Sequence, residues 1–216
     1  MLVSMKLDFS RDSQYHTQRN NALIPLESCN TTSLVMALKQ AGWDLPHPEG
    51  MQPEDYLTSR LQSDESLERM RSIAPWAFDA DGTVLYPPNE VHAMLRLAVN
   101  QWAGRDIDTF RTDWDLDELL DSLRSGCGIV LSGIFRVNGR VLNHMVSLAG
   151  FYSDLSGYII DDPFGDYHSG YADHHGNNVV VSHDDFMRIF KITGSRSKWA
   201  HVIAPAPEGE ENESTA

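Results

Sequence analysis

The chain has 216 residues, 41% hydrophobic and 22% charged, a globular composition that excludes collagen-like, coiled-coil and wholly disordered architectures. Its 17 basic against 31 acidic side chains leave a formal charge of −14. That charge repels phosphate backbones and anionic bilayer surfaces, which argues against nucleic-acid and membrane partners.

The first residues, MLVSMKLDFSRD, lack the continuous apolar centre of a secretory signal. No later run approaches the ~20 apolar residues that span a bilayer, so synthesis in the cytoplasm is expected. A helix is predicted over Cys29 to Gly42, with Leu34, Ala37, Leu38 and Ala41 on one stripe, Ser28 or Asn30 as cap and Gly42 as stop. Its first residue is a cysteine. Unpaired backbone N–H groups and the positive end of the helix dipole favour a thiolate there, and the thiolate is the reactive form. The bland alternative is a small hydrophobe packed beside the helix.

Shorter helices are predicted over Pro53–Leu61 and Glu65–Ile73. A stronger one is capped by Asn89, with Val91, Met94, Leu95, Ala98 and Trp102 facing inward and Gly104 at its end. Asp113 opens another, with Leu116, Leu119, Leu120 and Leu123 toward the core and Gly126 at its end. The second cysteine, Cys127, lies between Gly126 and Gly128 at the entry to an apolar run and reads as structural.

Beyond Gly126 the pattern changes to short runs rich in β-formers: Ile129 to Phe135, His144 to Phe151, Gly157 to Asp162, Asn178 to Ser182 and Trp199 to Ala204. Ser182 and Asp185 form a variant capping box ahead of Phe186, Met187, Ile189 and Phe190. Helices first and strands later predict an α+β fold with an antiparallel sheet. Residues 1–204 are expected to form one domain. The end, APAPEGEENESTA, predicts a disordered acidic tail over 205–216.

The second and third of these strands form a hairpin. Pairing Phe151 with Gly157 sets position 164 opposite His144, within about two places of Asp162. Facing side chains have Cβ atoms roughly 4.5–5.5 Å apart, so an imidazole and a carboxylate become neighbours. Asp161 and Asp162 point to opposite faces by strand parity, and only one of them can reach the ring. Asp162, at the mouth of the strand ahead of Pro163, is preferred. A carboxylate there fixes the tautomer of an imidazole and stabilises its cation.

Taken in order, SCNTTSLVMAL, NHMVSLAGF and YIIDDPFG, with Gln18-Arg19-Asn20-Asn21 upstream, resemble the papain-like cysteine peptidases related to the bacteriocin-leader-processing proteases, a C39-like group. The resemblance spans about residues 14 to 190 and is least specific from about 43 to 125. It implies a papain-like fold in which the helix of Cys29 packs on the antiparallel sheet. Cys29 is then the nucleophile, His144 the general base, Asp162 the orienting carboxylate and Gln18 an oxyanion donor, with no metal or organic cofactor. Asn30 stands where the leader-processing enzymes often carry Gly. The stretch Phe164 to Tyr171 resembles an aromatic, Gly-rich loop of phage and bacterial members, some of them cell-wall lytic or virion-associated. Peptidoglycan peptides are therefore the first expected substrate and a protein precursor the second. Three alternatives remain open: acyl transfer on the same scaffold, a silent peptide-binding module, and a metal site drawn from Asp161, Asp162, Asp166, His168, Asp173, His174, His175 and His183.

Overall fold

The computed structural model describes residues 4–11, 14–83, 88–190 and 199–207, with the side chains of residues 88–90 outside that description. Helix α1 (Cys29–Gln40) is buried along nearly all of its length from Thr31 to Gln40. The expected stripe therefore widens to the whole circumference, as in a helix enclosed by other elements. It ends in a Schellman motif: Gly42 takes φ 87°, and the Trp43 and Gly42 N–H groups donate to the carbonyls of Leu38 and Lys39.

Helix α2 (Pro53–Leu61) begins on its proline. Helix α3 (Asp64–Ile73) starts one residue ahead of the expected Glu65, because Ser63 caps it by accepting from the Ser66 N–H. Helix α4 (Pro88–Ala103) also starts early, so Asn89 lies inside it instead of capping it. Helix α5 (Leu116–Arg124) is opened by Asp115 and not by Asp113. Asp115 and Glu118 form a complete capping box, while Asp113 is drawn off to Arg111 at 2.9 Å.

The strands are β1 (Lys6–Asp8), β2 (Asp108–Arg111), β3 (Gly128–Val137), β4 (Arg140–Tyr152), β5 (Gly157–Asp161), β6 (Val179–Ser182) and β7 (Ala200–Ile203). They form one antiparallel sheet in the order β2-β7-β3-β4-β5-β6, with β1 added to the end of β4. The five predicted strands are present within a few residues. Strands β1 and β2, three and four residues long, are additions that carry too little alternation to be read locally. Helix α6 (His183–Phe190) follows β6, and Ser182 accepts from the Asp185 N–H as its box predicts.

Two apolar layers cover the sheet. On one face Ile129, Leu131, Val146 and Leu148 pack with α5 and α6 through Leu120, Leu123, Phe186 and Ile189. On the other, Val130, Met145 and Ile203 pack with α1 and α4 through Leu34, Ala37, Leu38 and Leu95. Gly128 lets α1 approach β3: a Cβ there would stand 1.9 Å from the carbonyl oxygen of Ala37. Residues 205–207 are not tail, since Ala206 donates to the Ala41 carbonyl at 2.7 Å. The rest of the predicted tail, 208–216, lies outside the described residues.

Candidate active site

Cys29 is the first residue of α1, partly buried and not in a disulfide. The loop ahead of it is held by Asp55 of α2, whose carboxylate accepts from the N–H groups of Ala22 and Leu23 at 2.9 and 2.8 Å. The helix itself is tied to β4 next to the histidine, where Ser33 Oγ donates to the carbonyl of Met145 at 2.9 Å. These bonds fix the sulfur against the strand that carries His144.

Strands β4 and β5 pair Ser147 with Asp161 and Phe151 with Tyr158, with a bulge between Leu148 and Gly150. Phe151 thus meets Tyr158 instead of the expected Gly157, a slip of one residue that the bulge takes back, so that Ser147 and Asp161 stand in the expected register. Strand parity then separates the two aspartates. Asp161 turns to Gln14 Nε2 (2.8 Å) and the Asn178 N–H (2.9 Å). Burial pushes its carboxyl up to about 6, although both hydrogen bonds work against the rise. Asp162, one residue beyond β5, accepts from His144 Nε2 at 2.7 Å. A carboxylate only accepts, so that edge of the ring carries its proton on Nε2.

The same Asp162 carboxylate accepts from the Phe164 N–H (2.9 Å) and the Tyr171 hydroxyl (3.3 Å). Tyr171 adopts φ 65°, an uncommon conformation for a bulky side chain, and stands edge-on to the His144 ring. Phe164 and Phe135 also meet that ring edge-on. The aromatic loop that suggested a wall substrate therefore packs around the imidazole and its carboxylate. Behind it, the Asp162 backbone is clamped by the Gly176 carbonyl and the Tyr15 hydroxyl.

The Cys29 thiol lies close enough to the His144 ring and to the Met145 N–H for both to act on it. Burial alone would push the thiol up. The hydrogen bond and charge of His144, with help from Met145, outweigh it and hold Cys29 below its ordinary range. For His144 burial works downward, and the charge and hydrogen bond of Asp162, then Cys29, raise the ring well above an ordinary imidazole. The three groups thus favour a thiolate beside an imidazolium. Cys127, ahead of β3 and far from any such partner in sequence, is pushed up by burial. A cleft of about 500 Å³ opens over the pair, lined among others by Cys29, Asn143, His144, Ser132, His92 and Trp199.

Gln18 is buried ahead of the cysteine loop, and its Nε2 donates to the Pro25 carbonyl at 2.8 Å. It is not among the residues that line the cleft. Among the described residues, no three His, Cys, Asp or Glu side chains converge as metal ligands. Members of the predicted acidic and histidine cluster are engaged singly elsewhere. Asp166 and Asp173 accept from the nearby backbone N–H groups of His168 and His175, and the rings of His168 and His183 bond Val180 and Tyr158. The residues missed by sequence are Tyr15 and Tyr171, whose role depends on loop closure, and His92, which reaches the cleft from α4.

The sequence model of the peptidase C39-like family matches residues 6–198. The chain belongs to that family, and membership supports a peptidase. A crystal structure of a Bacillus anthracis protein assigned as a C39-like peptidase superposes with a TM-score of 0.55 at 16% identity, covering 94% of this chain and 100% of that one. At that identity the likeness concerns the fold, a mixed arrangement of helices and antiparallel sheet. A search of curated proteins returned no match. Among the described residues, no helix is long and apolar enough to cross a membrane.

Proposed function

We propose that the chain is a cysteine peptidase or amidase of papain-like arrangement, in one domain over residues 1–204, with Cys29 as nucleophile, His144 as general base and Asp162 as orienting carboxylate. The observation that carries this reading is the His144 ring bonded to Asp162 at 2.7 Å, with the helix-start thiol close enough to act on the same ring. In the reaction, the Cys29 sulfur, its proton already on or passed to His144, attacks the carbonyl carbon of a peptide amide. The C–S bond forms and the carbonyl oxygen takes the negative charge.

The Cys29 backbone N–H at the start of α1 is one donor to that oxyanion. Gln18 is the second donor in this proposal. Pro25 holds one of its two amide hydrogens, and the proposal requires the other to reach the cleft, whose lining does not include Gln18. His144 then delivers its proton to the leaving amine as the C–N bond breaks, and a thioester remains. Water, deprotonated by His144, attacks the thioester, and the carboxylic product leaves as the thiolate reforms.

The substrate class of this proposal is a peptide amide. Peptides of the bacterial cell wall stay its first member and a precursor protein its second. The test is incubation of the protein with purified peptidoglycan and with a peptide library, reading new amino termini by mass spectrometry. Turnover that disappears in Cys29→Ala supports the proposal. Turnover that survives that change, or trapping of Cys127 in place of Cys29 by a peptide electrophile, refutes it.

A further inference from the structure

The cleft that holds the Cys29–His144 pair is also lined by His92, the end of a second buried polar chain that the proposed reaction does not use. Asp108 of β2 accepts from His201 Nδ1 of β7, at 2.8 and 3.1 Å to its two oxygens. His201 Nε2 in turn meets His92 Nδ1 of α4 at 3.0 Å. Asp108 and His201 are shut off from solvent, and His92 is 5% exposed. The three come from three elements, and β2 pairs Phe110 with His201 to bring them into line.

The His92 ring is held on three sides. Phe110 stacks on its face at 4.6 Å with planes 6° apart, and Trp199 meets it edge-on at 5.3 Å. His201 holds Nδ1. Among the described residues no hydrogen bond engages Nε2, that nitrogen is not among the buried atoms left without a partner, and His92 is a lining residue of the cleft that contains Cys29 and His144. Burial, with His201 behind it, drives this imidazole down to about 3, so it stays uncharged through the physiological range. An uncharged ring in a wall that also holds Val91, Met145 and Trp199 is a poor partner for a charged side chain. It suits an amide, which loses its water on entering the cleft and needs one replacement hydrogen bond.

We propose that His92 is a substrate-binding residue, its Nε2 edge hydrogen-bonding a main-chain amide of an extended peptide in the cleft, with His201 and Asp108 as positioning residues that aim it. This rests on the peptidase reading, and the experiment separates the two. The full chain is treated with iodoacetamide, which needs no peptide recognition, and with an N-acetyl-dipeptidyl chloromethyl ketone, which does. Inactivation is followed as a maximal rate and a half-saturating concentration.

In His92→Phe, which keeps the stacked ring, the half-saturating concentration of the peptidyl reagent rises about tenfold, the value of one neutral hydrogen bond. Its maximal rate and the iodoacetamide rate stay within about twofold. His92→Gln, which retains a donor and an acceptor, recovers most of the loss. In Asp108→Asn the ring-nitrogen NMR shifts of His201 and His92 move together and the half-saturating concentration rises with them. Equal half-saturation in wild type and His92→Phe overturns the inference. So does a parallel loss of both reagents' rates with a fall in Tm, which is the signature of a merely structural ring. A wild-type Cys29 that reacts with iodoacetamide no faster than Cys127 overturns the peptidase reading and this inference with it.

Discussion

Two buried imidazoles lean on aspartates in the same sheet. His144 of β4 bonds Asp162 at 2.7 Å, and His201 of β7 bonds Asp108 at 2.8 Å. The difference lies at the opposite nitrogen. His144 stands beside a thiol at the start of a helix, and the two act on each other in opposite directions: the sulfur is driven down and the ring up. His201 meets a second imidazole, and His92 is driven to about 3. On the two proposals made above, a His–carboxylate pair has no fixed function, because its third partner decides whether the ring moves protons or holds a neighbour still.

Removing one third partner is the strongest way to break that contrast. Cys29→Ala is expected to lower peptide hydrolysis by at least about 10⁴-fold, since nucleophile and base act as a unit, measured as product formed per hour by mass spectrometry. Asp162→Asn keeps an acceptor but removes the charge, and kcat is expected to fall about 10²- to 10⁴-fold. The pH profile of kcat/KM carries the sign. Asp162 holds the imidazolium together, so without its charge the basic limb of the profile moves to lower pH. A basic limb left in its wild-type position counts against Asp162 as the stabilising group.

The lowered thiol gives a smaller effect. Its thiolate persists above a depressed midpoint and is lost as pH falls through it, whereas Cys127 ionises only above its raised one. At pH 7 Cys29 is expected to be alkylated at least about tenfold faster than Cys127, by mass-spectrometric mapping of iodoacetamide adducts. Asp108→Asn sharpens the other half of the comparison. It weakens a charge-assisted hydrogen bond to a buried ring, and the unfolding free energy from urea titration is expected to drop by about 1.5–3 kcal/mol. Smallest is Asp115→Ala, which removes the cap of α5. It is expected to cost about 1 kcal/mol in the same titration and to leave Cys29 alkylation unchanged.

The hairpin explains why His144 and Asp162 were legible. They are 18 residues apart on adjoining strands, so turn length and strand parity bring them within a residue or two, and parity alone assigns Asp161 to the other face. Cys29 was legible because a helix start can be read from its polar flank and apolar run, although Ser28 stands at the cap position without a capping hydrogen bond. The bulge after Leu148 was not, since it depends on how β1 lies along Gly150, where a Cβ would stand 2.2 Å from the Leu7 carbonyl. For Gln18 only the residue type at an upstream position was legible; the bond from its amide to Pro25 depends on the path of a loop that Asp55 holds. Tyr171 lay in a loop whose resemblance pointed toward substrate, and its positive φ turns it onto Asp162 instead.

The amino-acid sequence by itself determined the helices, the long strands, the place of Cys29 at a helix start and the pairing of His144 with an aspartate, because each follows from contacts a few residues or one turn apart. Tertiary structure alone decided that the thiol meets the ring, and that Asp108, His92 and His201 form a line beside them. Those groups are brought together by α1, α4, β2 and β7 packing across the sheet. The bonds that join them span 93 and 109 residues, and no periodicity or spacing encodes a contact that only the closed core creates.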